Sequence, residues 1–344
     1  MSATILVTGG SGFIGSHTII ELFNNGFDVV SIDNQSNSTA DAYDHIEQIT
    51  GRRFATYNVD VCDVEKTREV FAKHKFAGII HFAAFKAVGE SVENPLKYYH
   101  NNIASLVTIL QLSKEFGVNR LIFSSSCSVY GNVTTLPVDE HTVLPKAESP
   151  YAYTKQIGEV MIENFCKVNP QFEAISLRYF NPVGAHETGL NGESPINKPS
   201  NLVPVITGTA IGKIPQLTVY GGDYPTRDGT CIRDYIHVSD IADAHVLALK
   251  YLIDGKSKIN YDVFNLGTGL GISVLEAIHA FEKVSGMKLN YRIGPVREGD
   301  VVAVYSDSSK AEKLLGWKCR FGIEEMMRTA WIWEQNVAAK NKKA

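Results

Sequence analysis

Tyr151 and Lys155 stand four residues apart in SPYAYTK, residues 149–155. Four residues make about one turn of helix, so the two side chains share a face. A phenol with its ordinary pKa of about 10 is a poor base, but a neighbouring ammonium favours the phenolate. Such a tyrosine can take a proton from an alcohol while hydride leaves the same carbon for a dinucleotide. Tyr130 and Tyr153 compete for the role, yet neither has a lysine at the fourth following position. Ser126 follows the apolar run Arg120 to Ser124, where its hydroxyl can hydrogen-bond the reacting oxygen. Ser124 and Ser125 carry the same chemistry one and two residues earlier.

A hydride needs an acceptor, and residues 8–17, TGGSGFIGSH, offer a place for one. Gly9, Gly12 and Gly15 are spaced three apart between a strand pattern and a helix pattern. There glycines let backbone approach a pyrophosphate, and the helix N-terminus supplies N–H donors and partial positive charge. Asp33 ends the next strand pattern, where a carboxylate binds both ribose hydroxyls. It would repel a 2′-phosphate, and no arginine follows closely, so NAD is favoured over NADP. Asp60 and Val61 follow a further strand and can flank the adenine, although Asp60 also suits an ordinary turn.

The elements that must position these residues are visible as a β-α-β rhythm: Thr4 to Thr8, Phe13 to Asn25, Phe27 to Ile32, Gly78 to Phe82 and Arg120 to Ser124. Nearly continuous apolar strands are covered on both faces, which predicts an α/β, doubly wound parallel (Rossmann) sheet with its ligand at the strands' carboxyl ends. The helix carrying Tyr151 is expected to turn Ile157, Val160, Met161 and Phe165 inward. From about Asn181 the texture becomes rich in Pro, Gly and Asn, with short signals at Leu217 to Tyr220 and Val274 to Val284, predicting a smaller mixed α/β substrate domain. A helix pattern over Asp240 to Leu252 and a strand pattern over Val263 to Leu266 can return to the first sheet. The division is therefore residues 1–180 with about 236–266 for the dinucleotide, and 181–235 with 267–340 for the substrate.

The 344 residues are 44% hydrophobic and 20% charged, which excludes disorder and collagen-like or disulfide-scaffold classes. A formal charge of −4 offers no general attraction to nucleic acid. Five cysteines, scattered and without C-x-x-C pairs, argue against a zinc site and for reduced thiols in the cytoplasm. No leader pattern or apolar run long enough to span a bilayer stands out, so no membrane role is expected.

With HFAAFKAVGESV (81–92), SSSCSVYG (124–131), LRYFNPVGAH (177–186), DYPTRDGTCIRDYIHV (223–238), FNLGTG (264–269) and REGD (297–300), these segments resemble the extended short-chain dehydrogenase/reductase family, and within it the 4-epimerases of UDP-hexoses. That resemblance implies an NAD reduced and reoxidised within one turnover. Tyr151 would deprotonate the sugar's 4-hydroxyl as hydride leaves carbon 4, and the keto sugar would swing and take the hydride back on its other face. Lys155 would hold the nicotinamide ribose and lower the pKa of Tyr151, and Ser126 would steady the sugar oxygen. Phe13, Ile14, Asn34, Asn37, Ser38, Phe82, Ala83, Lys86, Asn101 and Tyr179 would join Gly9, Gly12, Gly15, Asp33, Asp60, Val61, Tyr151 and Lys155 around NAD.

For the UDP-hexose, Arg233 and Arg297 suit a diphosphate clamp, since guanidinium is forked and always charged. Tyr220 suits stacking on uracil, with Leu217, Thr218 and Val219 supplying an edge. The resemblance adds Lys86, Asn181, Asn201, Leu202, Tyr235 and Asp300. It also implies a homodimer through helices at Leu96 to Phe116 and Tyr151 to Lys167. Val304 stands where relatives vary between bulky and small residues, so a 2-acetamido sugar would also fit unless Tyr305 swings in. Nucleotide-sugar 4,6-dehydratases share the Tyr–Lys pair but carry an acidic pair where this chain has Cys127 and Ser128. Without those carboxyls, elimination of water lacks its agents. A decarboxylase of UDP-glucuronate would need a glutamate near that point. A sensing module would have no use for a lysine-tuned phenol.

Overall fold

The computed structural model describes residues 2–196, 199, 201–296 and 301–341. Strand and helix alternate from the start as β1 (Thr4–Thr8), α1 (Phe13–Asn24), β2 (Asp28–Ile32), α2 (Asp41–Thr50), β3 (Ala55–Tyr57), α3 (Val64–Lys73), β4 (Gly78–His81), α4 (Val88–Glu93), α5 (Pro95–Phe116) and β5 (Arg120–Ser124). Then come α6 (Pro150–Val168), β6 (Glu173–Tyr179), β7 (Asn181–Val183), α7 (Leu202–Ala210), β8 (Leu217–Tyr220), β9 (Ile232–Arg233), β10 (Tyr235–His237), α8 (Val238–Ile253) and β11 (Tyr261–Leu266). The last elements are β12 (Ile272–Ser273), α9 (Val274–Ser285), β13 (Tyr291–Gly294), β14 (Ala303–Val304), α10 (Ser309–Leu315) and α11 (Ile323–Asn341).

Seven strands form one sheet in the order β11-β6-β5-β4-β1-β2-β3, all parallel. This is the doubly wound α/β sheet that the apolar strands predict. Their side chains are buried on both faces: Ile5, Val7, Ile80, Ile122 and Ile175 pack with α1 and α8, and Leu6, Ile79, Leu121 and Phe123 with α3, α5 and α6. The chain runs outward in opposite directions from β1 and β4, which opens a crevice at their carboxyl ends. Element ends follow local chemistry. Phe27 lies outside β2 because its N–H is spent on Leu22 of the preceding turn, and Pro95, at the first position of α5, starts that helix one residue before Leu96.

A separate core of Val203, Ile206, Leu217, Val219, Phe281, Met326 and Met327 joins α7, α9 and α11 to three small sheets. In these, β10 lies on β7, β13 on β8, and β9 between β12 and β14. Asp234, fully buried between β9 and β10, knots this part to the main sheet. Its carboxylate accepts from the backbone N–H groups of Thr268, Gly269 and Ser306 and from the hydroxyls of Thr268 and Ser306. Gly267 must lack a side chain there, because a Cβ would lie 2.3 Å from Asp234 Oδ2. The motifs IRDYIHV and FNLGTG are thus two sides of one joint.

Candidate active site

At the crevice between β1 and β4 lies a cleft of about 720 Å³. Gly9 bends the chain out of β1 at φ +74°, and a Cβ on it would lie 2.8 Å from the backbone nitrogen of Ala83. Gly15, in the first turn of α1, packs so closely that a Cβ would sit 2.2 Å from the carbonyl oxygen of Gly9. Gly12 is the N-cap of α1, and no side chain caps the helix there. First-turn N–H groups are left for a ligand where Ser11 to Gly15 line the cleft.

Asp33 closes β2 with its carboxylate held from two sides. Oδ2 accepts from the N–H of Ser11 at 3.1 Å, and Oδ1 from the N–H of Gln35 at 2.8 Å and the Ser38 hydroxyl at 3.3 Å. Asn34 donates to Asp60 at 3.1 Å, drawing the ends of β2 and β3 together. A cradle free of side chains beside an oriented carboxylate fits a dinucleotide. All the residues expected around NAD line this one cleft, from Gly9, Gly12, Phe13, Ile14 and Gly15 through Asp33, Asn34, Asn37, Ser38, Asp60 and Val61 to Phe82, Ala83, Lys86, Asn101, Tyr151, Lys155 and Tyr179.

The helix that carries Tyr151 and Lys155 starts where its sequence says it should. Ser149 caps α6 by accepting from the N–H of Ala152 at 3.2 Å, and Pro150 takes the first position, where a missing N–H costs nothing. Tyr151 and Lys155 follow on the buried face. Lys155 Nζ lies 5.9 Å from the centre of the Tyr151 ring and donates to the carbonyl of Ser124 at 2.5 Å. Ser124 also bonds Tyr179 through the two hydroxyls. Burial raises the Tyr151 phenol above its ordinary pKa, nearby Tyr179 adds to this, and the hydrogen-bonding Ser126 hydroxyl opposes it. Burial also lowers Lys155 to about 8, against the pull of Glu159. In the chain by itself, desolvation therefore outweighs the expected sharpening of the phenol by its lysine.

The inward face of α6 differs from expectation. Val160 is exposed, and the buried stripe instead runs Tyr151, Lys155, Glu159, Ile162, Cys166. The line of Tyr151 and Lys155 marks which side faces the sheet, and Val160 lies off that line, while Met161 and Phe165 stay half-buried against the core. Ser124, an alternative to the modestly preferred Ser126, lines the cleft, whereas Ser126 lies near Tyr151 outside its lining. Glu193, which no local motif marks, accepts from Lys86 at 3.2 Å and Asn201 at 2.8 Å across the cleft.

The residues expected to hold the UDP-hexose are more dispersed. Asn201 lines the cleft; Asn181, Leu202, Arg233, Tyr235 and residues 217–220 lie outside its lining. Parallel pairing sets Asn181 beside Tyr235 and Arg233 beside Val304. Arg233 is near enough to Cys127 to pull against the rise in that thiol's pKa. Leu217 and Val219 turn into the core by strand alternation, so Tyr220 stays exposed and only backbone of those two is left as an edge. Tyr235 is likewise a core residue. Arg297 and Asp300 lie outside the described residues.

A family described as GDP-mannose 4,6 dehydratase matches residues 6–330. The UDP-glucose 4-epimerase of Erwinia amylovora is 46% identical over 333 residues, 96% of this chain and 97% of that protein. A solved UDP-glucose 4-epimerase from Bifidobacterium longum, in complex with NAD+ and UDP, superimposes with a TM-score of 0.93 at 46% identity, covering 97% of this chain and 98% of that one. Another, from Stenotrophomonas maltophila with bound NAD and formylated UDP-arabinopyranose, gives 0.95 at 42% identity, covering 98% and 99%. At the two positions after Ser126 this chain has Cys127 and Ser128, neither of them acidic, and burial pushes the Cys127 thiol up to about 12. The chain belongs to the UDP-glucose 4-epimerases, NAD-dependent isomerases of the extended short-chain dehydrogenase/reductase family.

Proposed function

We infer that the chain interconverts UDP-galactose and UDP-glucose by transient oxidation at carbon 4. The observation that carries this is the placing of Tyr151 and Lys155, one helical turn apart and buried, in the same cleft as the glycine cradle and Asp33. NAD, when bound, supplies a reversible hydride acceptor. Tyr151 takes the proton of the 4-hydroxyl, keeps it while carbon 4 is a ketone, and returns it after the sugar has turned its other face. Ser126, close to the phenol, would share the sugar oxygen. Lys155 would hold the nicotinamide ribose and offset with its positive charge the burial that disfavours the phenolate. Asp33 would take the adenine ribose hydroxyls, and the first turn of α1 the pyrophosphate.

The substrate end would be held by Arg233 and Arg297 on the diphosphate, Tyr220 on the uracil face, and Asn181, Asn201, Leu202 and Asp300 along the sugar and ribose. Residues 1–180 with about 236–266 would serve the cofactor, and 181–235 with 267–340 the sugar nucleotide. Five free thiols suit the cytoplasm, and among the described residues no helix is long and apolar enough to cross a membrane. A homodimer through α5 and α6 is supported by their exposed apolar residues: Leu96, Val107, Val160 and Val168. Val160→Asp should convert a species of twice the chain mass into a monomer in sedimentation.

Acetamido sugars are the second reading. Val304 packs against Val129, Tyr130, Val138 and Phe180, and the Tyr305 ring lies against Gly271 on the other side of the strand. The test of the activity is a product assay read together with the absorbance of reduced nicotinamide. The account expects UDP-glucose from UDP-galactose with no net reduction. A stable keto sugar would mean a dehydratase, and no product a binding module.

A further inference from the structure

Glu159 continues the line of Tyr151 and Lys155, one more turn along α6, and is as deeply buried as they are. Its carboxylate is fully engaged. Oε1 accepts from the Ser125 hydroxyl at 2.5 Å and from Arg178 Nε at 2.9 Å, and Oε2 from Arg178 Nη2 at 2.6 Å. Both partners of the ion pair are under a tenth exposed, at 7% for Glu159 and 6% for Arg178. Arg178, on β6, also donates to the Tyr130 hydroxyl at 3.0 Å, which in turn bonds Asn265 at 2.7 Å. A buried pair of this kind contributes little net stability compared with apolar residues, so its worth must lie in what it orients.

The three serines beyond β5 divide the work of the site. Ser124 takes the Lys155 amine on its carbonyl and the Tyr179 hydroxyl on its own. Ser126 is near enough to Tyr151 to oppose the rise in its pKa. Ser125, between them, is tied by its backbone N–H to Leu177 and by its hydroxyl to Glu159. We propose that Glu159, gripped by Arg178, is a positioning residue for carbon-4 inversion, fixing the Ser124–Ser126 segment under Tyr151 and setting a buried carboxylate one helical turn beyond Lys155. This rests on the activity inferred above.

The electrostatics point the same way. Lys155 faces His81 from β4 and Tyr151 and Glu159 from its own helix, and Glu159 is the group that opposes the fall in its pKa. Glu159 itself faces Arg178 from β6 and Tyr261 from β11, a phenol raised first by burial and then by Glu159, with Glu163 acting on the same ring. Loss of the carboxylate charge leaves Lys155 with burial unopposed. Its proton is then lost at lower pH, and with it the charge that favours the phenolate.

The test is the pH profile of kcat/KM for UDP-galactose in wild type and Glu159→Gln, with NAD content and circular dichroism recorded. The alkaline limb should move down by about one pH unit, a loss of about tenfold near pH 9 beyond any loss at pH 7. Ser125→Ala keeps the charge and should lower kcat with the limb unmoved. A Glu159→Gln profile lowered equally at every pH, or not lowered, overturns the proposal. Should that variant fail to fold with Arg178 left unpaired, Glu159→Gln with Arg178→Gln removes both charges, and its limb must move in the same direction or the proposal fails. Wild type without any UDP-glucose product would defeat the inferred function instead.

Discussion

The glycine cradle at the end of β1 is backbone held by a seven-stranded sheet, whereas the residues proposed for the sugar nucleotide sit mostly on strands of two to four residues outside the cleft lining. The first arrangement cannot yield, because an added methyl at Gly9 or Gly15 meets main-chain atoms. The second can at Tyr220, an exposed side chain whose change alters a surface without moving the sheet. On the proposed function, binding strength and specificity would thus be assigned to different parts of the fold. Substitutions near the glycines should abolish binding, and those beyond β7 should redirect it.

The sharpest break of this contrast is Gly15→Ala. Its Cβ has no room beside the Gly9 carbonyl, so overpacking should cost about 2 kcal/mol, and copurified NAD should fall more than tenfold. A thermal melt and the absorbance of released nucleotide check both.

Acid attacks the same end. Burial drives His17 and His81 to about 3 and His245 to about 4, all in the sheet half, and His237, the N-cap of α8, to about 4. The unfolded chain protonates each below its ordinary value of about 6.5, and the folded chain does not. Stability is therefore complete above that pH and falls as pH drops toward 4, by about 1.4 kcal/mol per unit for each histidine. Unfolding midpoints at pH 7, 6 and 5 should descend with increasing steepness.

The mildest change is expected at the substrate end. Val304→Tyr should lower turnover of UDP-N-acetylglucosamine more than that of UDP-glucose, and, because Val304 is buried among Val129, Tyr130, Val138 and Phe180, it should also lower stability by about 1–3 kcal/mol. Wild type without activity on the acetamido sugar would dispose of this reading.

The same contrast explains what could be read before any coordinates. The glycine spacing, Asp33 and the Tyr151–Lys155 interval are local, and a single turn or helix face fixes their geometry. The long apolar strands announced the sheet for the same reason. Pairings such as Arg233 with Val304 join residues far apart in the chain through strands of two residues, too short to leave a periodic trace. The inward side of α6 was misjudged because Val160 suits a core by composition, whereas it lies on the exposed side of a helix whose buried stripe holds a tyrosine, a lysine and a glutamate. Nothing near Glu159 in sequence marks Arg178 or Ser125 as its partners.

One comparison tests the central claim most directly: conversion of UDP-galactose to UDP-glucose without added NAD by wild type and by Tyr151→Phe. Loss of the phenolic proton carrier should reduce kcat by roughly a thousandfold, with bound nucleotide and fold unchanged. A variant that keeps its nucleotide and still turns over within tenfold of wild type would contradict the role given to Tyr151.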